Sequence, residues 1–204
     1  MAHEYFLGRL PSHFHLNRII RAYIISESLV WAAWNFVIPI LAVFVVNQIK
    51  DGNVQAAASA YSIYLISRVV FELICGRMLI NTSDRKKFTM AVVGIIALSV
   101  AYFLFSLSHN VTSLIFAYII AGFGLGLSSP AKNALFSIHI DRDKAATEWS
   151  LADAVSFGCM ALASALGGFF ATQYGFTVLF FVAAVINLFG AIPFILFIYK
   201  KNWL

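Results

Sequence analysis

Gly122-Phe123-Gly124-Leu125-Gly126-Leu127-Ser128-Ser129-Pro130-Ala131 closes a run, residues 111–131, that contains no Asp, Glu, Lys or Arg. About 20 apolar residues wound as a helix cross the roughly 30 Å hydrocarbon core of a bilayer. Within such a run Gly122 and Gly126 form a Gly-x-x-x-Gly pair with Gly124 between them, the pattern of close helix contact in lipid. The rest of the chain has the same character. Of its 204 residues 61% are hydrophobic and 11% charged, and the mean hydropathy is +0.86. Soluble domains run near 45–50% apolar and about 25% charged, which excludes that class. The composition equally excludes a disordered chain. Cys75 and Cys159 lie inside apolar runs, so no disulfide framework is implied.

Working outward, six stretches reach spanning length, at about 19–47, 56–79, 89–107, 111–131, 150–172 and 177–199. Polar breaks separate them: Lys50-Asp51-Gly52-Asn53, Ser83-Asp84-Arg85-Lys86-Lys87, Ser108-His109-Asn110, Asp141-Arg142-Asp143-Lys144 and Gln173-Tyr174-Gly175. None shows the alternating ten-residue pattern of a membrane β-barrel. Residues 1–18 and 200–204 are expected to flank the bundle. Twelve of the fourteen Lys and Arg fall at or before the start of span one, from the end of span two to the start of span three, around the four–five connection, or after span six. The positive-inside rule then places both termini in the cytoplasm. It also accounts for the net charge of +5 without a nucleic-acid partner. The expected partner is a lipid bilayer, most simply the plasma membrane. The first 18 residues contain no apolar core of signal-peptide length. Their His3, His13 and His15 match no metal-ligand spacing and read as a solvated tail.

Long first and fourth spans, a basic second connection and the Gly122–Leu135 stretch together resemble one half of a major facilitator superfamily (MFS) transporter. Gly167-Gly168 and Tyr174-Gly175-Phe176 extend the likeness, which covers about residues 17 to 200. The resemblance implies an all-α bundle of six transmembrane helices built as a 3+3 inverted repeat. Pro39 and Pro130, about 20 residues into spans one and four, agree with such a repeat. Several positions depart from the family pattern. Gly76 is followed four residues later by Ile80 instead of Asp, and Asp84-Arg85 arrives late. Tyr118 stands where the family often has Arg, and of the Gly-Pro-x-x-Gly-Gly pattern only Gly167 and Gly168 remain. These departures count against ordinary proton-driven antiport. Gly76, Asp84 and Arg85 are nevertheless the candidates for a cytoplasmic gate.

Ionisable side chains in hydrocarbon cost at least a few kcal/mol each and are site candidates by default. Counting about 1.5 Å per residue puts Glu27 about 10 Å into span one, Glu72 about 10 Å into span two and Arg68 one turn deeper. Asp153 lies nearer the cytoplasmic edge of span five. Arg68 and Glu72, at i and i+4, share a helix face and can pair. That pair either lines a cavity or neutralises itself. Glu27 has no partner one turn away in its own helix, with Trp31 and Asn35 following on its face. It is a candidate proton carrier, the alternative being an ion pair with Arg21 or Lys132. Lys132 is expected to anchor the end of span four at the interface. Trp31, Trp34 and Asn35 either contact substrate or pack. Gly122, Gly126, Gly167 and Gly168 are expected to seat neighbouring helices.

An intramembrane serine protease also has six spans, and Gly126-Leu127-Ser128-Ser129 is superficially like its nucleophile motif. Such chemistry needs a His base from another helix, and span six contains none. There is no His-Glu-x-x-His motif and no phosphate-binding loop, so neither enzyme, cofactor nor metal is expected. The reading is a half-size secondary transporter for a small organic solute, working as a homodimer or with a second six-helix half. The alternatives are a non-transporting subunit, scaffold or sensor of this fold, and a fragment of a twelve-helix transporter.

Overall fold

The structure, a computed structural model, describes residues 16–199. The expectations for His3, His13 and His15 and for Lys200-Lys201 therefore lie outside the described residues. The described residues are helical almost throughout: α1 (Arg18–Gln48), α2 (Val54–Met78), α3 (Asp84–Ser106), α4 (Val111–His139), α5 (Ala145–Phe189) and α6 (Ile192–Tyr199). Asparagine starts three of them. The side chains of Asn17, Asn53 and Asn110 accept from backbone N–H groups in the first turns of α1, α2 and α4. At Asn110 the cap is reciprocal, because the Ser113 hydroxyl returns a hydrogen bond to the capping backbone.

Two boundaries differ from the sequence expectation. α4 does not stop near Ala131 but runs through Pro130 to His139. Proline is tolerated inside a membrane helix because neighbouring elements satisfy the backbone groups it frees. The fifth and sixth stretches are continuous in hydrogen bonding except at Gly175, whose φ of 81° and ψ of 172° are open only to glycine. The chain reverses there. On one side of it Ser156 lies against Ser28 and Phe170 against Phe36. On the other, Phe180 packs on Phe44, and the backbone at Gly190 has returned to Val30 and Ser26. Both limbs thus run the length of α1 in opposite directions. Among the described residues five segments are long and apolar enough to cross a membrane: α1 to α4, and Ala145–Tyr199 taken as one.

Glycines set the helix spacing around α4. A Cβ at Gly122 would lie 2.6 Å from the Tyr64 carbonyl oxygen, and one at Gly126 would lie 2.7 Å from Phe71 Cβ, so this face of α4 presses on α2. Gly124 points the other way and meets Gly94 of α3, each backbone within 2.5–2.7 Å of where the other's Cβ would be. The alternating Gly-x-Gly-x-Gly therefore seats two helices at once, one on each side. Gly167 similarly admits the Phe36 backbone of α1. Gly168 does not match the expectation of a packing role: nothing lies within 4 Å of its Cβ position. The core runs between these helices, with Trp34, Tyr64, Tyr102, Phe105 and Phe180 at its centre.

Candidate functional site

The charged side chains away from the helix ends gather, among the described residues, on α1, α2, α4 and the first limb of α5. Helical spacing puts Glu27, Trp31 and Asn35 on one face of α1. The extension of α4 past Pro130 carries Lys132 opposite Glu27. Lys132 is only 1% exposed, and its Nζ lies 2.5 Å from Glu27 Oε2. It neither snorkels nor anchors an interface. Burial of the lysine requires that carboxylate, because an unpaired ammonium in such a place is prohibitive. The contact is a charge contact without the alignment of a hydrogen bond.

The other oxygen of Glu27 accepts from Trp31 Nε1 at 2.6 Å. Glu27 thus does have a partner one turn along its own helix, an indole N–H that serves as donor. Trp31 in turn lies beneath the Arg68 guanidinium of α2, 5.9 Å from its ring centre, a distance at which cation and ring attract. Arg68 Nε donates to Glu72 Oε2 at 3.3 Å and its Nη1 to the Tyr64 hydroxyl at 3.3 Å. A connected relay therefore runs Lys132–Glu27–Trp31–Arg68–Glu72 across three helices. Gly126 makes it possible: its missing side chain lets the Arg68 carbonyl and Glu72 amide approach α4, to 3.0 and 3.1 Å from its Cβ position. The Arg68–Glu72 end is open, with side chains 24% and 40% exposed, whereas the Lys132–Glu27 end is closed.

The remaining candidates fall in three places. Asn35 donates back to the Trp31 carbonyl, and its own carbonyl accepts from Ser164 of α5. Trp34 is buried and packs between Tyr64 and Tyr102, ring centres 4.8 and 6.4 Å away. Asp153 is exposed on α5 and lines a cavity of about 310 Å³ with Tyr23, Glu27, Trp31, Phe157 and Met160. Tyr23 closes the end of that cavity, its hydroxyl 3.1 Å from Asn133 Oδ1 and its ring on Phe136.

The gate candidates separate. Asp84, at the start of α3, accepts from Lys87 at 3.1 Å and lies 3.2 Å from His139 Nε2 at the end of α4. Arg85 is exposed without a side-chain partner among the described residues, and Gly76 borders open space. The Asp84 contact thus ties the ends of α3 and α4 without Arg85 or Gly76. Sequence reasoning missed Tyr64, His139 and Glu148. Glu148 is fully buried, and its carboxylate accepts from the Asp141 amide, clamping the α4–α5 connection. Among the described residues no cluster of His, Cys, Asp and Glu could hold a metal ion.

The family model of the Major Facilitator Superfamily matches residues 23–202. No curated protein matches the chain in sequence. In shape it is similar to PepTSo, a POT family transporter solved in meso, with a TM-score of 0.77 over 89% of this chain at 16% identity. The match covers 37% of that transporter, so the chain spans well under half its length.

Proposed function

The chain belongs to the Major Facilitator Superfamily, and from that premise we propose that it is a half-size secondary transporter moving a small organic solute by alternating access. Two copies would face each other across a central path. Six crossings, with the reversal at Gly175 separating the fifth from the sixth, would leave both termini on one side. The basic connections argue that this side is the cytoplasm, and the plasma membrane is the simplest site.

One observation carries the reading. Arg68, Glu72 and Asp153 remain partly exposed on one face of the bundle, at depths where lipid contact with an ionised group is costly. α6, the second limb of α5 and α3 beyond its first turn carry no charged residue among those described. A face of that kind suits water, solute or protein, and a two-fold partner would enclose it. The relay from Lys132 to Glu72 would then be the coupling element, Trp31 and Asn35 lying beside the path and Asp84 holding the cytoplasmic ends of α3 and α4. The match to little more than a third of a solved transporter favours a second arrangement too, in which a different six-helix half supplies the opposite wall.

Single-molecule photobleaching of labelled protein, diluted into liposomes, tests the homodimer. Two-step bleaching is the expected result. Predominantly single-step bleaching overturns it and turns the search to a non-identical half or to a non-transporting role.

A further inference from the structure

The cavity between α1 and the first limb of α5, about 310 Å³, lies at the lower end of the range for small-molecule sites. Two carboxylates reach it, and they are not equivalent. Glu27 is held by Lys132 Nζ and Trp31 Nε1, so its charge is already balanced. Asp153 is exposed and has no ion-pair partner among the described residues. No Lys or Arg lines the cavity. The space therefore carries one uncompensated negative charge, about 12 Å along α5 from Ala145. A carboxylate without a counter-charge in a mainly apolar cavity attracts a cation. The walls specify what kind. Tyr23, Trp31 and Phe157 line it with aromatic side chains, the class of residue whose rings attract an ammonium group. Met160 adds a polarizable thioether that packs against aromatic bodies. A hydrated inorganic ion would waste these surfaces, whereas an ammonium on a small apolar body would use both.

We propose that this cavity binds a small monovalent organic cation, its ammonium against Asp153 and its apolar body against Trp31, Phe157 and Met160. This deepens the transport reading and rests on it only for the movement of the ligand, not for its binding. The test is equilibrium binding of radiolabelled benzyltrimethylammonium to the full chain in lipid nanodiscs. The competitors are benzenesulfonate and neopentylbenzene, an anion and the uncharged isostere.

The expected result is saturable binding displaced by unlabelled cation alone. Asp153→Asn should weaken binding at least tenfold, with Asp153→Glu recovering most of it. Because Asp153 is exposed, both variants should melt with the wild type. Absence of saturable binding, equal competition by benzenesulfonate, or Asp153→Asn binding within twofold of wild type would each overturn the site. Flux of the same cation into proteoliposomes separates the two readings. Binding without flux leaves the site and removes transport. Flux of a neutral or anionic solute without cation binding does the reverse.

Discussion

The bundle handles polar groups in opposite ways on its two sides. On the front, α1, α2, α4 and the first limb of α5 bring together Lys132, Glu27, Arg68, Glu72 and Asp153, and leave several of them partly exposed. On the back, where α3 meets the second limb of α5, the polar device is neutral and sealed. Asn187, fully buried, donates to the Ile95 carbonyl at 2.8 Å and to Ser99 Oγ at 2.7 Å. Both devices join helices distant in sequence. A neutral amide does so without the desolvation penalty that an ion pair carries, often as large as the attraction it gains. Charge is thus a costly means of adhesion, and among the described residues the charged side chains away from the helix ends lie on the front.

The sharpest way to break this comparison is to unbalance the closed end of the relay. Lys132→Met leaves the half-buried Glu27 without its cation, and removing one partner of a fully buried pair costs roughly 3–5 kcal/mol, an upper bound here. Thermal unfolding in detergent should show a large loss, most of it recovered in the Lys132→Met/Glu27→Gln double variant. If the single variant melts with the wild type, the pair is not balanced as the geometry indicates. Asn187→Leu on the back should cost less. Hydrogen bonds between membrane helices are worth about 0.6 kcal/mol on average and up to about 1.7, so loss of two gives roughly 1–2 kcal/mol. A loss at Asn187 exceeding that at Lys132 would invert the contrast between the two sides.

Much of the fold was legible because bilayer length and polar breaks are written directly in composition. Asn53 and Asn110, read in the sequence only as parts of polar breaks, prove to be the capping residues of the helices that follow. What escaped depends on distance in three dimensions. Glu27 and Lys132 are 105 positions apart, so the sequence offers their ion pair only as an alternative beside Arg21 and leaves the choice to the structure. The expectation for Lys132 failed for a specific reason: Pro130 reads as a helix end, yet α4 continues past it, turning an interface lysine into a buried one. Asn187 did leave a signal, a lone amide in an apolar run, which deserved the weight given to the charges. Tyr64 left none, since an aromatic in a membrane helix carries no mark of whether its hydroxyl meets an arginine.

The smallest expected effects come from the adjacent glycines of α5, and they test how well the two surfaces of that helix are told apart. Alanine in a helix interior is favoured over glycine by about 0.5–1 kcal/mol, so both substitutions begin with the same gain. At Gly167 a Cβ would run into the Phe36 backbone, and backbone cannot swing aside as a side chain can. Overpacking of that kind costs roughly 1–3 kcal/mol and should outweigh the gain. At Gly168 no atom of the chain lies within 4 Å, so the gain should survive and the variant should melt slightly above wild type. Melting of the detergent-solubilised monomer checks this directly. Bleaching steps in liposomes then use the same variant to ask what fills the open space. If Gly168→Ala keeps its stability but loses two-step bleaching, a helix of the second copy presses there. If both are unchanged or improved, that face of α5 meets lipid, and the partner covers only the side where Asp153 lies.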